Sequence, residues 1–168
     1  MKRILILGCA GSGKSTLAKA LAQKLQLPIV HLDHFHWLPG RIRRTDEAFT
    51  KLLMDTCKQD AWIMDGTYLR HLARRLPFAD TIIFIDTARW LCLWRIAKRW
   101  LRSFFTHEEF APGCKNTING EFLLWVWQWH ARYRQPTLAM ITYAGKANVI
   151  ILRTNKEISR FLEQVQGP

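Results

Sequence analysis

The sequence is poor in acid, in paired cysteines and in long apolar runs. Thirteen Asp and Glu stand against 25 Lys and Arg, a formal net charge of +12. An excess of that size points to anionic partners, whether nucleotide phosphates, nucleic acid or acidic lipid, and does not choose among them. No uninterrupted apolar stretch reaches membrane-spanning length. The apolar start, Ile4 to Leu7, is too short for a signal peptide and runs straight into a glycine-rich loop. The expectation is a soluble, cytoplasmic protein with no membrane partner. Cys9, Cys57, Cys92 and Cys114 have no paired spacing, which argues against a disulfide framework or a four-thiolate zinc site and suits a reducing compartment. Internal repeats, low-complexity tracts and linkers are also missing.

What is present is enough for one domain. The 168 residues, 49% of them apolar, can bury a full core, and residues 1–168 read as a single unit. Strand-like runs at Arg3–Leu7, Ile29–Leu32, Ala61–Met64, Thr81–Ile85 and Asn148–Leu152 alternate with helical patterns. The helices are expected at Lys14–Leu25, Asp46–Lys58, Arg89–Phe104, Glu121–Thr142 and Lys156–Gln164. Apolar strands separated by amphipathic helices predict a buried parallel sheet with right-handed crossovers. The predicted fold is therefore a three-layer α/β/α sandwich of the P-loop NTPase type with five parallel strands. One stretch breaks the rhythm: residues 103–120 form a Pro- and Gly-containing excursion between two long helices, where a lid would sit.

The strongest chemical signal is Gly8-Cys9-Ala10-Gly11-Ser12-Gly13-Lys14-Ser15, followed by Thr16, a complete G-x-x-x-x-G-K-[ST] motif. Gly8, Gly11 and Gly13 let backbone N–H groups, including that of Ser12, curl around phosphates without Cβ clashes. The helix that follows adds the positive end of its dipole. Lys14 is expected to reach the β- and γ-phosphates of ATP, and the Ser15 hydroxyl to ligate Mg²⁺. The motif lies between an apolar strand and an amphipathic helix, the context that confirms it.

Three aspartates are expected at strand carboxyl ends, where such sheets bind ligands. Asp65, after Trp62-Ile63-Met64, is placed with Ser15 in the magnesium shell, or else as a turn residue. Asp33, in the run His31-Leu32-Asp33-His34-Phe35-His36-Trp37, is a candidate base for a hydroxyl acceptor, or else a cap. Asp86 looks like a turn residue. The neighbouring histidines suit a transition metal better than Mg²⁺, so no histidine metal site is expected.

Arg95 and Arg99 share a helix face at i, i+4 and are candidates for closing over ATP and neutralising transition-state charge. Arg132 is a candidate acceptor contact. Arg41, Arg43 and Arg44 either grip an anionic acceptor or face water. Trp37 is the candidate for stacking on a substrate ring. Two other aromatic stripes, Trp90–Trp94–Leu101 and Phe122–Trp125–Val126–Trp129–Tyr133, are expected in the core.

Taken together, the P-loop, His31-Leu32-Asp33 with Trp37, Trp62-Ile63-Met64-Asp65-Gly66-Thr67-Tyr68, Ala79 to Asp86 and Arg89-Trp90 resemble the adenylate-kinase-like P-loop kinases. Within them the chain is similar to a bacterial group labelled DNA topology modulation proteins. The resemblance, which runs on through Gly113-Cys114 and Glu121-Phe122-Leu123, implies a nucleoside- or nucleotide-kinase core, ATP with Mg²⁺, and an arginine-bearing lid flanked by Arg95 and Arg99. It also likens Asp33 to the base of uridine and nicotinamide riboside kinases. The AMP-gripping segment of true adenylate kinases is missing after the second strand.

These features predict a phosphotransferase that moves the γ-phosphate of ATP to a small acceptor, a hydroxyl being favoured. The alternative is a nucleic-acid-binding or regulatory P-loop ATPase that modulates DNA topology, motivated by the net charge.

Overall fold

Strand and helix alternate along the chain as the apolar runs predict. The structure, a computed structural model, describes residues 1–106, 109–115, 118–143 and 145–167. β1 (Arg3–Gly8) leads to α1 (Lys14–Leu25), and β2 (Ile29–His31) to the short α2 (Leu32–His36). A small hairpin, β3 (Trp37–Leu38) with β4 (Ile42–Arg43), precedes α3 (Asp46–Cys57). β5 (Trp62–Asp65) and α4 (Leu72–Arg75) follow, then β6 (Thr81–Ile85) and α5 (Arg89–Thr106). A second hairpin, β7 (Glu109–Ala111) with β8 (Cys114–Lys115), stands before α6 (Gly120–Arg132) and α7 (Arg134–Thr142). β9 (Asn148–Leu152) and α8 (Asn155–Gln164) complete the fold.

The five long strands form one parallel sheet in the order β2-β5-β1-β6-β9. Alternation with period two explains its two dry faces. Leu5, Leu7, Trp62, Met64, Ile82 and Phe84 point to one side, onto Phe49 and Leu53 of α3 and Cys92 and Ile96 of α5. Ile4, Ile6, Ile63, Ile83 and Ile85 point to the other, onto Leu17, Ala18 and Leu21 of α1. This is the three-layer P-loop fold the sequence predicts. Connections leave β1 toward both sides of the sheet, so a crevice opens at its carboxyl end. At the opposite end Asp80 Oδ2 accepts from the N–H groups of Lys2 and Arg3, both at 2.8 Å, fixing the strand starts.

Several expectations need correction. Leu32, expected to end the second strand, opens α2 instead, and Asp33 lies in that helix. The helix expected over Glu121–Thr142 is two helices that meet at Tyr133. Pro136 is the reason, because in a continuous helix its ring would collide with the Arg132 carbonyl and its missing N–H would leave that carbonyl unpaired. The excursion at 103–120 is not a bare loop in its described part. α5 runs on to Thr106, and the β7–β8 hairpin docks on the first hairpin, with Gly40 N–H donating to Gly113 O at 3.1 Å and the Cys114 thiol to Leu38 O at 3.2 Å. The stripe Trp90–Trp94–Leu101 is not core. Those side chains stay more than half exposed, because α5 meets the sheet through Cys92 and Ile96, on another side of the helix. In the α6 stripe Val126 and Trp129 are buried while Trp125 is exposed.

Candidate active site

The loop after β1 has the shape a phosphate cradle requires. Gly8, Gly11 and Gly13 all take positive φ. At Gly11 (φ +74°) a Cβ would sit 2.5 Å from the Cys92 carbonyl oxygen, so only glycine fits between the loop and α5. Ser12 N–H closes the turn on Cys9 O at 3.2 Å, and Lys14 Nζ donates to the same carbonyl at 2.8 Å. The ammonium is thus held across the mouth of its own loop. α1 begins at Lys14 with Gly13 as cap and no side-chain capping bond, so its first N–H groups face the cradle.

Asp65 closes this site from the neighbouring strand. It pairs in register with His31 of β2 and Ile6 of β1, and its Oδ1 lies 2.8 Å from His31 Nδ1. Burial pushes its carboxyl up, yet the hydrogen bond and charge from His31, the Ser15 hydroxyl and the Lys14 ammonium outweigh that, and its pKa falls below the usual carboxylate value. Its Oδ2 is buried and meets no hydrogen-bond donor among the described residues. A buried, ionised oxygen with a free lone pair near a serine hydroxyl fits a hard, oxygen-preferring cation such as Mg²⁺. No group of three or more His, Cys, Asp or Glu suited to a metal occurs among the described residues.

Behind Asp65 lies a brace that sequence reasoning missed. Thr67 Oγ1 accepts from Gly8 N–H at 3.0 Å and donates to Gly8 O at 2.7 Å, locking the loop after β5 to the start of the phosphate loop. Arg75, fully buried, in turn donates to Gly66 O at 2.9 Å and to Thr67 O. Among the described residues no carboxylate pairs with this guanidinium, and burial lowers its pKa to about 10. A charged residue buried without an acidic partner is a signal no sequence pattern carries.

Asp33 is exposed at the start of α2. Its Oδ1 accepts from the Tyr68 hydroxyl at 2.7 Å. Tyr68 holds a left-handed backbone (φ 33°, ψ 64°), rare for a bulky residue and costing about 1–3 kcal/mol. Burial first, then the charge of Asp33, raises the pKa of the phenol, so it stays a donor. Trp37, half-buried on β3, has the guanidinium carbons of Arg41 and Arg43 5.7 and 5.6 Å from its ring centroid. The ring sits in a cationic surround rather than as a bare platform.

Arg95 reaches back to the phosphate loop. Its Nη1 donates to Ser12 O at 2.9 Å and its Nη2 to Asn155 Oδ1 at 2.6 Å. These groups, with Gly13, Thr16 and Ile158, line a cavity of about 290 Å³ beside the cradle. A larger cavity, about 390 Å³, lies at the far end of the sheet between Met1, Asn148 and Phe161. It has no acidic or basic side chain in its lining and is remote from the strand carboxyl ends. Arg99 lies one turn beyond Arg95 and is exposed, as is Arg132 at the end of α6. Asp86 is more than a turn residue. Arg134 grips it with two bonds of 2.8 and 2.7 Å, and that guanidinium, against burial, lowers its pKa. Arg134 therefore ties α7 to the end of β6.

Residues 4–99 match the family described as ATPase family associated with various cellular activities (AAA). Among relatives, YqaC of Bacillus subtilis (strain 168) is 28% identical over 126 residues, 74% of this chain and 70% of that protein. A shikimate kinase of Bacillus cereus (strain G9842) is 31% identical over 83 residues, 49% of this chain and 45% of that one. Among solved structures, the shikimate kinase of Acinetobacter baumannii in complex with shikimate superposes with a TM-score of 0.67 at 14% identity, covering 98% of this chain and 90% of that chain.

Proposed function

The chain belongs to the ATPase family associated with various cellular activities (AAA), and from that premise we propose that it is an ATP-dependent kinase of small hydroxylated molecules. One observation carries the reading: a carboxylate oriented by a strained tyrosine, Asp33 with Tyr68, stands on the acceptor side of a complete phosphate loop. A P-loop hydrolase needs no such pair for a small acceptor. The likeness to shikimate kinases supports the same class, since shikimate is a small hydroxy acid.

The roles follow from position. The Gly8–Ser15 amides cradle the triphosphate, and Lys14 moves from Cys9 O to the β- and γ-phosphates. Ser15 and Asp65 would hold Mg²⁺, which would supply charge neutralisation at the phosphates. Arg95 flanks the adenosine in the cavity beside Asn155, and Arg99 neutralises charge from the next turn. The acceptor oxygen attacks the γ-phosphorus as the bond to the β–γ bridging oxygen breaks. Its proton passes to Asp33, while Tyr68 holds the other lone pair direction of that carboxylate. Trp37 and Arg132 line the acceptor side, and the excursion at 103–120, part of which lies outside the described residues, is proposed as a lid. The finer reading, supported by the resemblance to the DNA topology modulation group, is a nucleoside- or nucleotide-type kinase of the cytoplasm. The net charge of +12 keeps a nucleic-acid-binding ATPase as the second reading.

The test is ADP formation across a panel of nucleosides, nucleotides and small hydroxy acids, with acceptor-free hydrolysis as baseline. The reading expects at least one acceptor to raise the rate well above baseline and Asp33→Asn to abolish that rise while ATP still binds. Hydrolysis stimulated only by DNA would replace it with the second reading.

A further inference from the structure

Asp65 serves a cation only if its carboxylate stands still. The torsion about the Cβ–Cγ bond of an aspartate is broad, so a place at a strand end does not decide which oxygen meets the ion. Another side chain has to decide it, and His31 is in the position to do so.

His31 ends β2 directly opposite Asp65 at the end of β5, and the spacing of the two is fixed on both sides. Before them Val30 pairs with Met64 in the same parallel register. After them Leu32 packs on Gly66, where an added Cβ would lie 2.9 Å from the Leu32 Cβ, so the chains meet there as only glycine allows. Registered partners on neighbouring strands point to one face, which brings the imidazole onto the carboxylate.

The 2.8 Å bond between them is nearly dry, with the side chains 19% and 6% exposed. Water therefore competes poorly for either group. Ionised Asp65 can only accept, so Nδ1 of His31 carries the proton and donates it to Oδ1. With Oδ1 taken, the carboxylate cannot turn without losing that bond. Oδ2 is left as the buried oxygen that meets no donor among the described residues. His31 is itself a poor ligand for Mg²⁺, which prefers oxygen. An imidazole on the far oxygen of a ligating carboxylate does a different job: it sets the orientation of the ligand.

We propose, building on the kinase reading above, that His31 is the positioning residue of the cation site: its Nδ1–H holds Oδ1 of Asp65 so that Oδ2 is presented to the Mg²⁺ that accompanies ATP. His31 acts through Asp65 and needs no contact with nucleotide or acceptor.

The test is titration calorimetry of the full chain with ATP, once with Mg²⁺ and once with EDTA. The readout is the factor by which Mg²⁺ tightens ATP binding. His31→Phe and His31→Leu fill the space and donate nothing, whereas His31→Asn puts an amide nitrogen where Nδ1 stands. The first two are expected to shrink the factor about ten- to a hundredfold while ATP binding in EDTA is unchanged. His31→Asn is expected to keep it within about threefold of the wild type. In an Asp65→Asn background His31→Phe should change nothing further. A wild-type factor retained by the non-donating variants overturns the proposal and leaves the kinase reading, which depends on the acceptor panel, intact. So does ATP binding weakened equally with and without Mg²⁺, or failure of both non-donating variants to fold, since either makes His31 a structural residue only. A wild type whose ATP binding Mg²⁺ does not tighten overturns the proposal together with the metal role of Asp65.

Discussion

Replacing Arg75 by Met should separate the fold from the site. The guanidinium is fully buried, and the fall of its pKa to about 10 amounts to a desolvation penalty of about 3 kcal/mol on the charged form, which it keeps at neutral pH. Methionine removes that penalty. It also leaves the carbonyls of Gly66 and Thr67 without their donor, at about 1–3 kcal/mol each. The two effects nearly offset, so stability should drop by no more than about 3 kcal/mol, within the 5–15 kcal/mol of an ordinary domain. The phosphate loop should suffer more visibly. Thr67 loses its anchor, and with it the two bonds to Gly8, each worth about 1 kcal/mol net. Nucleotide affinity should therefore fall by about thirtyfold, since about 2 kcal/mol is lost and 1.4 kcal/mol is one decade. Urea unfolding and calorimetric titration with Mg·ATP measure the two quantities on one preparation. A folded Arg75→Met protein that binds Mg·ATP as tightly as the wild type would refute the brace.

Gly11→Ala sets a methyl 2.5 Å from Cys92 O at φ +74°, so thermal unfolding should show a loss of about 2–4 kcal/mol and calorimetry a loss of Mg·ATP binding. Tyr68→Phe removes the donor to Asp33 and should lower kcat about tenfold with ATP affinity unchanged, read by steady-state kinetics on the acceptor found active. Stability should also rise with pH in two windows. Burial lowers the pKa of His36 and His71, so the unfolded chain takes up protons first and stability should fall as pH drops through about 6.5. Asp65, Asp80 and Asp86 are depressed, so their contribution is present above about pH 4 and is lost as pH falls through their folded values. Thermal unfolding between pH 8 and pH 3 reads both, and a flat profile would contradict them.

The sheet and the phosphate loop were legible because each depends on local rules. Period-two apolar runs buried on both faces give β1 and β6, and glycines at fixed offsets give the cradle. The long-range pairings were not legible. Arg134 on Asp86, Thr67 on Gly8 and Arg75 on Thr67 join residues whose spacing in sequence has no period. The aromatic stripe of α5 failed for another reason. Periodicity reports that a helix has an apolar face, and only packing decides whether that face is covered; here Cys92 and Ile96 take the core side and leave Trp90 and Trp94 outside. Asp33 stands out in the sequence for its chemistry, whereas Tyr68, which bonds to it, depends on a backbone angle no sequence pattern announces.

Every proposed role depends on the loop from Gly8 to Ser15 gripping a triphosphate. Titration calorimetry with Mg·ATP on the intact protein, beside Lys14→Ala, tests that grip directly. Saturable heat at one nucleotide per chain for the wild type and none for the variant is the predicted result. No heat from a well-folded wild type, or equal heat from both proteins, would contradict it.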